Sequence, residues 1–522
     1  MNLLDPANRW LTLQYQDGSV RPASLYDITL PEVMDIHAPR ADFRAALYQL
    51  IIGLLQTAAA PADNDDWLDG WYTPPAVANL VALLQPLSHA FEVISDGTAF
   101  MQDQDALADG AVKSTAELLV DLGSDSNLHF NKLNDWQGLC ENCFAHALFT
   151  LQINAPSGGV GHRTSLRGGG PLTTLLLPAT ADSPLWQKLW LNVIPVEQLD
   201  EVMQQAPRWP QVLPWLAPTR LSDKSGLETP PESVHPLQAY WSTPRRIRLD
   251  TADTGSGACE ICDQAHDTLY TRYRTRNYGT NYTGAWQHPL SPYNHDPKHE
   301  KPPLPLKGGY ASRGYRQWLA LIFGENSQPK VAAVVAGFRR KARLLRQGSL
   351  EARVWYCGFE MDNMKAKAWH DGSLPLFDIR AGEQRLFTDA VRKVLAAAEQ
   401  GASLLAEQVK LARNMDKKEP AVEQSFWQHS ERHFYEAIQR LADLPDDKLA
   451  IPVSAELAAV YQQWLQAIRR LLLRLFDDWV LGTPIEQMDM GKVVKARKDL
   501  RDGCWKKAFK TLQDDVKSLA KG

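Results

Sequence analysis

Two pairs of cysteines are the residues of this sequence best suited to chemistry: Cys140 with Cys143, and Cys259 with Cys262, each separated by two residues. Two thiolates at that spacing can grip one tetrahedral metal ion, and two such pairs supply four sulfur ligands. A shared structural zinc site is the reading adopted for Cys140, Cys143, Cys259 and Cys262; two unrelated turns and redox chemistry are the alternatives. Cys357 and Cys504 stand alone and read as small buried apolar residues. Six cysteines in 522 residues are too sparse for a disulfide framework.

A second group of residues suits recognition rather than reaction. Ser157, Gly158, Gly159, Val160 and Gly161, then Gly168, Gly169 and Gly170, follow the first cysteine pair, where glycines permit close backbone approach; a tight connection without a ligand is the plainer alternative. The run from Thr271 to Tyr282 interleaves Arg272, Arg274 and Arg276 with Tyr273, Tyr278 and Tyr282, a mixture suited to phosphate contacts with stacking. An alternating edge strand with exposed arginines fits that run equally well.

Catalytic patterns are missing. The nearest approach to a zinc-protease helix, His429-Ser-Glu-Arg-His433, lacks the Glu adjacent to the first His, and no deaminase, phosphate-loop or nucleophile-elbow motif occurs. His288, His295 and His299 share a proline-rich loop and could bind metal, although solvated loop histidines are the simpler reading. Four cysteines would close the coordination sphere of zinc and leave no position for a substrate. A non-catalytic protein is expected.

The elements that must position these residues fall into two compositional regions, as the length also requires. Up to about residue 370, short β-favouring runs alternate with helices: a hairpin around Gln16-Asp17-Gly18, helices over 42–57, 75–84 and 115–122, strands over 173–177 and 354–359, and a helix over 331–346 with a solvated basic face at Arg339, Arg340, Lys341, Arg343 and Arg346. Trp186 to Val193 fits either a strand or a helix. Residues 204–245 and 289–305 are rich in proline and must be held down by packing. Beyond 371, amphipathic patterns over 383–414, 421–443, 457–479 and 486–519 are joined by short connections, which predicts an antiparallel four-helix bundle. The fold class is therefore α+β: a mixed α/β domain over 1–370 with a zinc-knuckle-like site, then a bundle over 371–522. Lys plus Arg number 56 against 61 Asp plus Glu, a net charge of −5, so any nucleic-acid contact must come from local patches. No secretory signal is read at the start, and 45–55 is too short to span a bilayer; a cytoplasmic protein without membrane contact is expected.

Several strings in order along nearly the whole chain carry a family resemblance: Phe100-Met-Gln102, Cys140 and Cys143 followed by Ala155-Pro156 and glycines, Ser165-Leu-Arg-Gly-Gly-Gly-Pro-Leu-Thr-Thr174, Cys259 with Cys262, Trp286 with His288-Pro289, Gly358-Phe-Glu-Met-Asp-Asn-Met-Lys365 and Ser430-Glu-Arg-His-Phe-Tyr435. With these the chain resembles the CasA family, large subunits of the type I-E CRISPR surveillance complex Cascade. The resemblance implies a DNA- and RNA-binding subunit without catalysis. Its role would be to recognise the protospacer-adjacent motif of duplex DNA from the minor groove, start strand separation and recruit the helicase–nuclease. The implied partners are the other Cascade subunits, the guide RNA 5′ handle, double-stranded target DNA and that nuclease. The implied motif-reading residues are Ser157, Gly158, Gly159, Val160 and Gly161; a basic position among Arg274, Arg276 and Asn277; and a wedge at Asp362, Asn363 and Met364. Phe130 and Asn131 would touch the RNA handle. A purely architectural scaffold that binds RNA and protein without reading DNA is the competing expectation.

Overall fold

The computed structural model describes residues 1–122, 136–159, 161–199, 208–223, 227–296, 298, 300–324, 330–345, 351–377, 379, 384–449, 454–482 and 489–518. The chain divides into two compact units, Met1–Ser312 with Gly324–Ser373, and Arg313–Phe323 with Leu374–Gly522.

In the first unit the expected hairpin forms from Leu11–Tyr15 and Val20–Ala23, with Gly18 at φ +80° in its turn, and Val33–His37 pairs on the other side of Leu11–Tyr15. The helix Ala41–Ala58 is apolar on nearly every side and is correspondingly enclosed on nearly every side. It packs against a second enclosed helix, Glu141–Asn154. The proline-rich segment after 204 is anchored by its tryptophans. Trp215 lies 5.5 Å from Phe100, Trp241 lies 5.6 Å from Phe91, and their indoles donate to Ala90 O at 2.6 Å and Thr57 Oγ1 at 2.9 Å. These rings make one core from segments distant in sequence.

Two three-stranded sheets carry the residues of interest. In one, Arg272–Arg276 lies between Ala111–Ser114 and Arg246–Leu249, so the arginine-rich run is a central strand and not an edge. In the other, Ala352–Asp362 lies between Thr173–Pro178 and Lys365–Leu376, with Trp355 opposite Leu175. The strand expected over 354–359 is thus half of a long hairpin. Arg167 ties the glycine-dense turn to the interior: it donates to Gln49 Oε1 at 2.7 Å and to Thr173 Oγ1 and Ser291 Oγ at 3.0 Å each. Burial among neutral acceptors lowers its pKa to about 10.

Local expectations are corrected at several points. A helix not expected from the sequence, Asn64–Tyr72, is capped by Asp63, whose carboxylate accepts from the Asp65 and Asp66 amides at 2.9 Å. The segment 115–122 holds only a 3-10 turn, Thr115–Leu118, and the ambiguous run after 185 is the helix Leu185–Trp190. The helix Ala333–Leu344 does not present Lys341 to water. That side chain is 2 % exposed, and its Nζ donates to Leu191 O at 2.7 Å and Val193 O at 2.8 Å beside the Trp67 ring. The carbonyls of Leu191 and Val193, just past the end of Leu185–Trp190, accept from the amine and hold the side chain inside. Arg346 and the side chain of Arg339 lie outside the described residues.

The second unit is built from Gln384–Ala412, Pro420–Ala442, Ala455–Leu481 and Met490–Gly503, the last continued by Lys510–Ser518. Ser454 caps the third through its Oγ, 3.0 Å from the Leu457 amide. Its buried stripe includes Leu457, Tyr461, Trp464, Ile468, Leu472, Leu475 and Phe476. Trp464 donates to Val394 O at 3.1 Å, and Gly401 lets Leu472 come close to its helix. The segment Arg313–Phe323 supplies Tyr315, stacked on Phe434 at 4.3 Å. Ser430 donates its one proton to Phe426 O at 2.6 Å, so the Tyr315 hydroxyl, 2.8 Å away, must be the donor to Ser430.

Candidate metal centre and nucleic-acid interface

The two cysteine pairs meet. Cys140 is the N-cap of Glu141–Asn154, and Cys143 lies in the first turn of that helix. Cys259 and Cys262 occupy the turn between the paired strands Thr254–Ala258 and Ala265–Tyr270. Leu139 exchanges backbone hydrogen bonds with Tyr270 at 3.0 and 2.8 Å, and Gly138, at φ +122°, allows the contact because a Cβ there would lie 2.8 Å from Tyr270 O. The four sulfurs fall within 4.8 Å of one another, with Cys140 Sγ and Cys262 Sγ 3.9 Å apart. Tetrahedral zinc at its usual Zn–S length places sulfurs about 3.8 Å apart, so this donor set fits such an ion.

Without an ion the four sulfurs differ in their protonation, and the shared hydrogen bonds with burial raise the Cys140 pKa. Cys143 is held as a thiol, its pKa raised by donation to Cys140, Cys259 and Cys262. Cys259 is pushed toward thiolate by accepting from Cys140 and Cys143, and Cys262 is pulled down to about 6 by its hydrogen bond from Cys143. A divalent ion would stabilise all four as thiolates. The Cys140 amide already donates to Cys259 Sγ at 3.3 Å, and His266 Nε2 sits 3.8 Å from Cys262 Sγ. Sequence reasoning passed over His266, although its spacing of four from Cys262 was available. The histidines of the proline-rich loop do not join a metal group among the described residues. His288 is buried, its Nδ1 accepting from the Leu290 amide at 3.1 Å, and burial lowers its pKa, which replaces the solvated reading. His299 lies outside the described residues.

The glycine loop is pinned at its ends and open at its tip. The Tyr278 amide donates to Gly161 O at 2.7 Å, and a Cβ on Gly161 would lie 2.8 Å from Asn277 Cβ. Arg245 donates through Nη2 to Pro156 O, and its guanidinium comes so near Gly158 that a Cβ there would meet Nη1 at 2.5 Å. Gly159 has φ +84° and nothing within 4 Å of its Cβ position. Ser157 is exposed beside it, and Val160 lies outside the described residues, as do Phe130 and Asn131.

The arginine run contributes less free charge than its composition suggests. Arg272 pairs with Asp253 at 2.9 Å, Arg274 with Asp250 at 3.1 Å and Ala108 O at 2.9 Å, and Arg276 with Asp109 at 3.1 Å. Tyr273 points into the core and Tyr282 accepts from the Thr243 amide at 3.1 Å, so these two rings are structural and not open for stacking. Strand alternation forces that: with arginines on one face, Tyr273 must occupy the other.

The hairpin Ala352–Asp362 with Lys365–Leu376 ends in an exposed two-residue turn. Asn363 takes φ +55°, Asp362 pairs with Lys367 at 3.0 Å, and Met364 is 42 % exposed. The tip and the glycine loop border one cleft of about 340 Å³, with Ser157 and Gly158 on one wall and Met364 and Lys365 on the other. Arg245, His162 and Lys113 also line it and were not singled out from the sequence, where nothing local distinguishes them.

The sequence profile of the family described as CRISPR-associated protein Cse1 matches residues 2–475. Among solved structures, Cse1 of Thermobifida fusca is similar at 18% identity and a TM-score of 0.70, over 99% of this chain and 98% of that one. CasA of Thermus thermophilus is similar at 18% identity and a TM-score of 0.68, over 96% and 99%. A chain of a structure described as a CRISPR RNA-guided surveillance complex aligns at 15% identity and a TM-score of 0.64, over 97% and 99%.

Proposed function

The chain belongs to the CRISPR-associated protein Cse1 family, and from that premise we propose that it is the non-catalytic large subunit of a type I-E Cascade complex. In this reading it recognises the protospacer-adjacent motif of duplex DNA from the minor groove, helps to start strand separation and recruits the helicase–nuclease. The four long helices of the second unit are read as a four-helix bundle, the four cysteines as a structural zinc site, and the stretch around Phe130 and Asn131 as the contact to the guide RNA 5′ handle. The remaining Cascade subunits retain the chain on target DNA.

One observation carries the reading: stretches about a hundred residues or more apart are gathered around the glycine loop. Gly161 is hydrogen-bonded to the turn that follows Arg276 and Asn277, and Ser157 and Gly158 share a cleft with Met364. A minor groove about 6 Å wide admits a backbone without side chains, and its edges distinguish little beyond A·T from G·C, so several related motifs would be tolerated. Asn277 is exposed beside the loop and is the best placed of the three candidates, since Arg274 and Arg276 are engaged by carboxylates. Met364 at the tip suits insertion between base steps, at a cost of a few kcal/mol that guide pairing offsets.

The test is Gly159→Asp. A Cβ on Gly159 would meet nothing within 4 Å among the described residues, so the substitution places a carboxylate where the groove would lie, with assembly of the variant complex measured alongside. On guide-matched duplexes differing only in the flanking motif, the variant complex is expected to lose motif-dependent binding by roughly 100-fold or more, the value of repulsion plus exclusion at a close contact. Gly159→Ala isolates the φ +84° strain. Equal, motif-blind binding by wild type and variant would make the chain a scaffold.

A further inference from the structure

The cleft between the glycine loop and the hairpin tip contains more positive charge than the fold itself consumes. Lys113 pairs with Glu117 at 3.1 Å, and Asp121 is held by Arg40 at 2.8 Å. Arg245 and Lys365, on opposite walls, meet no carboxylate among the described residues. Arg245 gives Nη2 to Pro156 O and exchanges backbone bonds with the Gln152 amide at 3.0 Å each, while its Nε is buried without an acceptor. A guanidinium keeps its charge at neutral pH, so a cation stands largely withdrawn from water with only neutral oxygens around it. Between the two walls the floor is apolar, formed by Leu151, Ile247 and Tyr273.

We propose that this cleft seats one backbone phosphodiester of the DNA strand passing between the glycine loop and the hairpin tip, gripped by Arg245 from one wall and Lys365 from the other. The inference rests on the proposed reading of loop and tip as DNA-contacting and adds the ligand that sets their register. Arginine presents a planar fork to phosphate oxygens, and lysine adds a point charge that adapts to the strand. Phosphate contacts position a protein on a duplex without reading its sequence. A phosphate fixed beside Met364 would hold one strand still while the tip enters the adjacent step. Gly158 is required here for a reason separate from groove entry: any side chain would displace the guanidinium.

The experiment is a scan of single neutral methylphosphonate substitutions along each strand of the motif-flanking duplex, read as affinity of the reconstituted complex carrying wild type, Arg245→Met or Lys365→Met. One position is expected to cost wild type on the order of tenfold, the scale of a lost charge-assisted contact. Both variants should bind the unmodified duplex more weakly by a similar factor for every motif, and be indifferent to that one methylphosphonate. Since Arg245→Met also releases Pro156, Lys365→Met, at an exposed position without a hydrogen bond to the loop, decides the matter. If every position weakens wild type and both variants alike, there is no seat, whether or not motif preference is present. If the coupling appears in a complex that ignores the motif, the phosphate seat stands and the motif-reading role falls.

Discussion

Single residues show how differently charge is handled across this chain. At the cysteine cluster, four sulfurs gathered by a helix cap and a hairpin turn need a cation to be deprotonated together. With zinc bound, Cys143→Ser or prolonged chelation should abolish one equivalent of metal in native mass spectrometry and lower the melting temperature by about 5–10 °C. Unchanged melting with no metal detected in the wild type would leave the cluster a set of hydrogen-bonded thiols. Lys341 is the opposite case, a cation with no carboxylate partner among the described residues. Burial lowers its pKa from 10.5 to about 7. The unfolded chain therefore binds one more proton between those values, and stability rises with pH through that window. The contribution is complete above about 10.5 and lost as pH falls to about 7. Denaturant titrations from about pH 6.5 to 10 should show wild type gaining on Lys341→Met by up to about 1.4 kcal/mol per pH unit. Parallel curves would mean that Leu191 O and Val193 O keep the ammonium charged throughout. Neither the depth of Lys341 nor the free charge on Arg245 was legible in sequence, because both depend on what a distant segment places opposite them.

Elements were legible where one face alone is buried. The third long helix of the second unit shows its stripe plainly, and its span, Ala455–Leu481, extends the expected 457–479 by two residues at each end. Glu141–Asn154 was not recognised as a helix, because it is enclosed on nearly every side and its apolar residues make no stripe. The partner strand Lys365–Leu376 was missed for another reason: its polar, partly exposed residues lack β-favouring character, and pairing to Ala352–Asp362 supplies what propensity does not. Helix contact in the second unit gives an element-scale prediction at Gly401, where a Cβ would lie 3.2 Å from a Leu472 methyl. Gly401→Ala should be nearly neutral, its gain of about 1 kcal/mol in helix propensity offset by the shift of that methyl. Gly401→Leu should cost about 1–3 kcal/mol by overpacking. Thermal unfolding of the two variants separates these; a large loss for Ala would show that Leu472 cannot move.

Across the whole molecule the net charge of −5 sets a limit. With Arg272, Arg274 and Arg276 already paired to carboxylates, the isolated chain has little free positive surface there. Its own affinity for duplex DNA should be negligible at about 150 mM salt, while the assembled complex binds; tight, salt-resistant binding by the purified chain would overturn this. No helix among the described residues is long and apolar enough to cross a membrane. By itself the sequence determined the two cysteine pairs as a candidate donor set, the hairpin, the change to long amphipathic helices and, through its ordered strings, the family. Each of these is written in spacing or periodicity along the chain, where local sterics and ligand geometry act. Tertiary structure alone decided that Gly161 meets the turn at Tyr278, that Tyr273 turns inward, and that Gly158, Arg245 and Met364 share one cleft. Those relations join residues far apart along the chain, and burial and charge pairing at such a distance are settled only when the sheets and the enclosed helices pack.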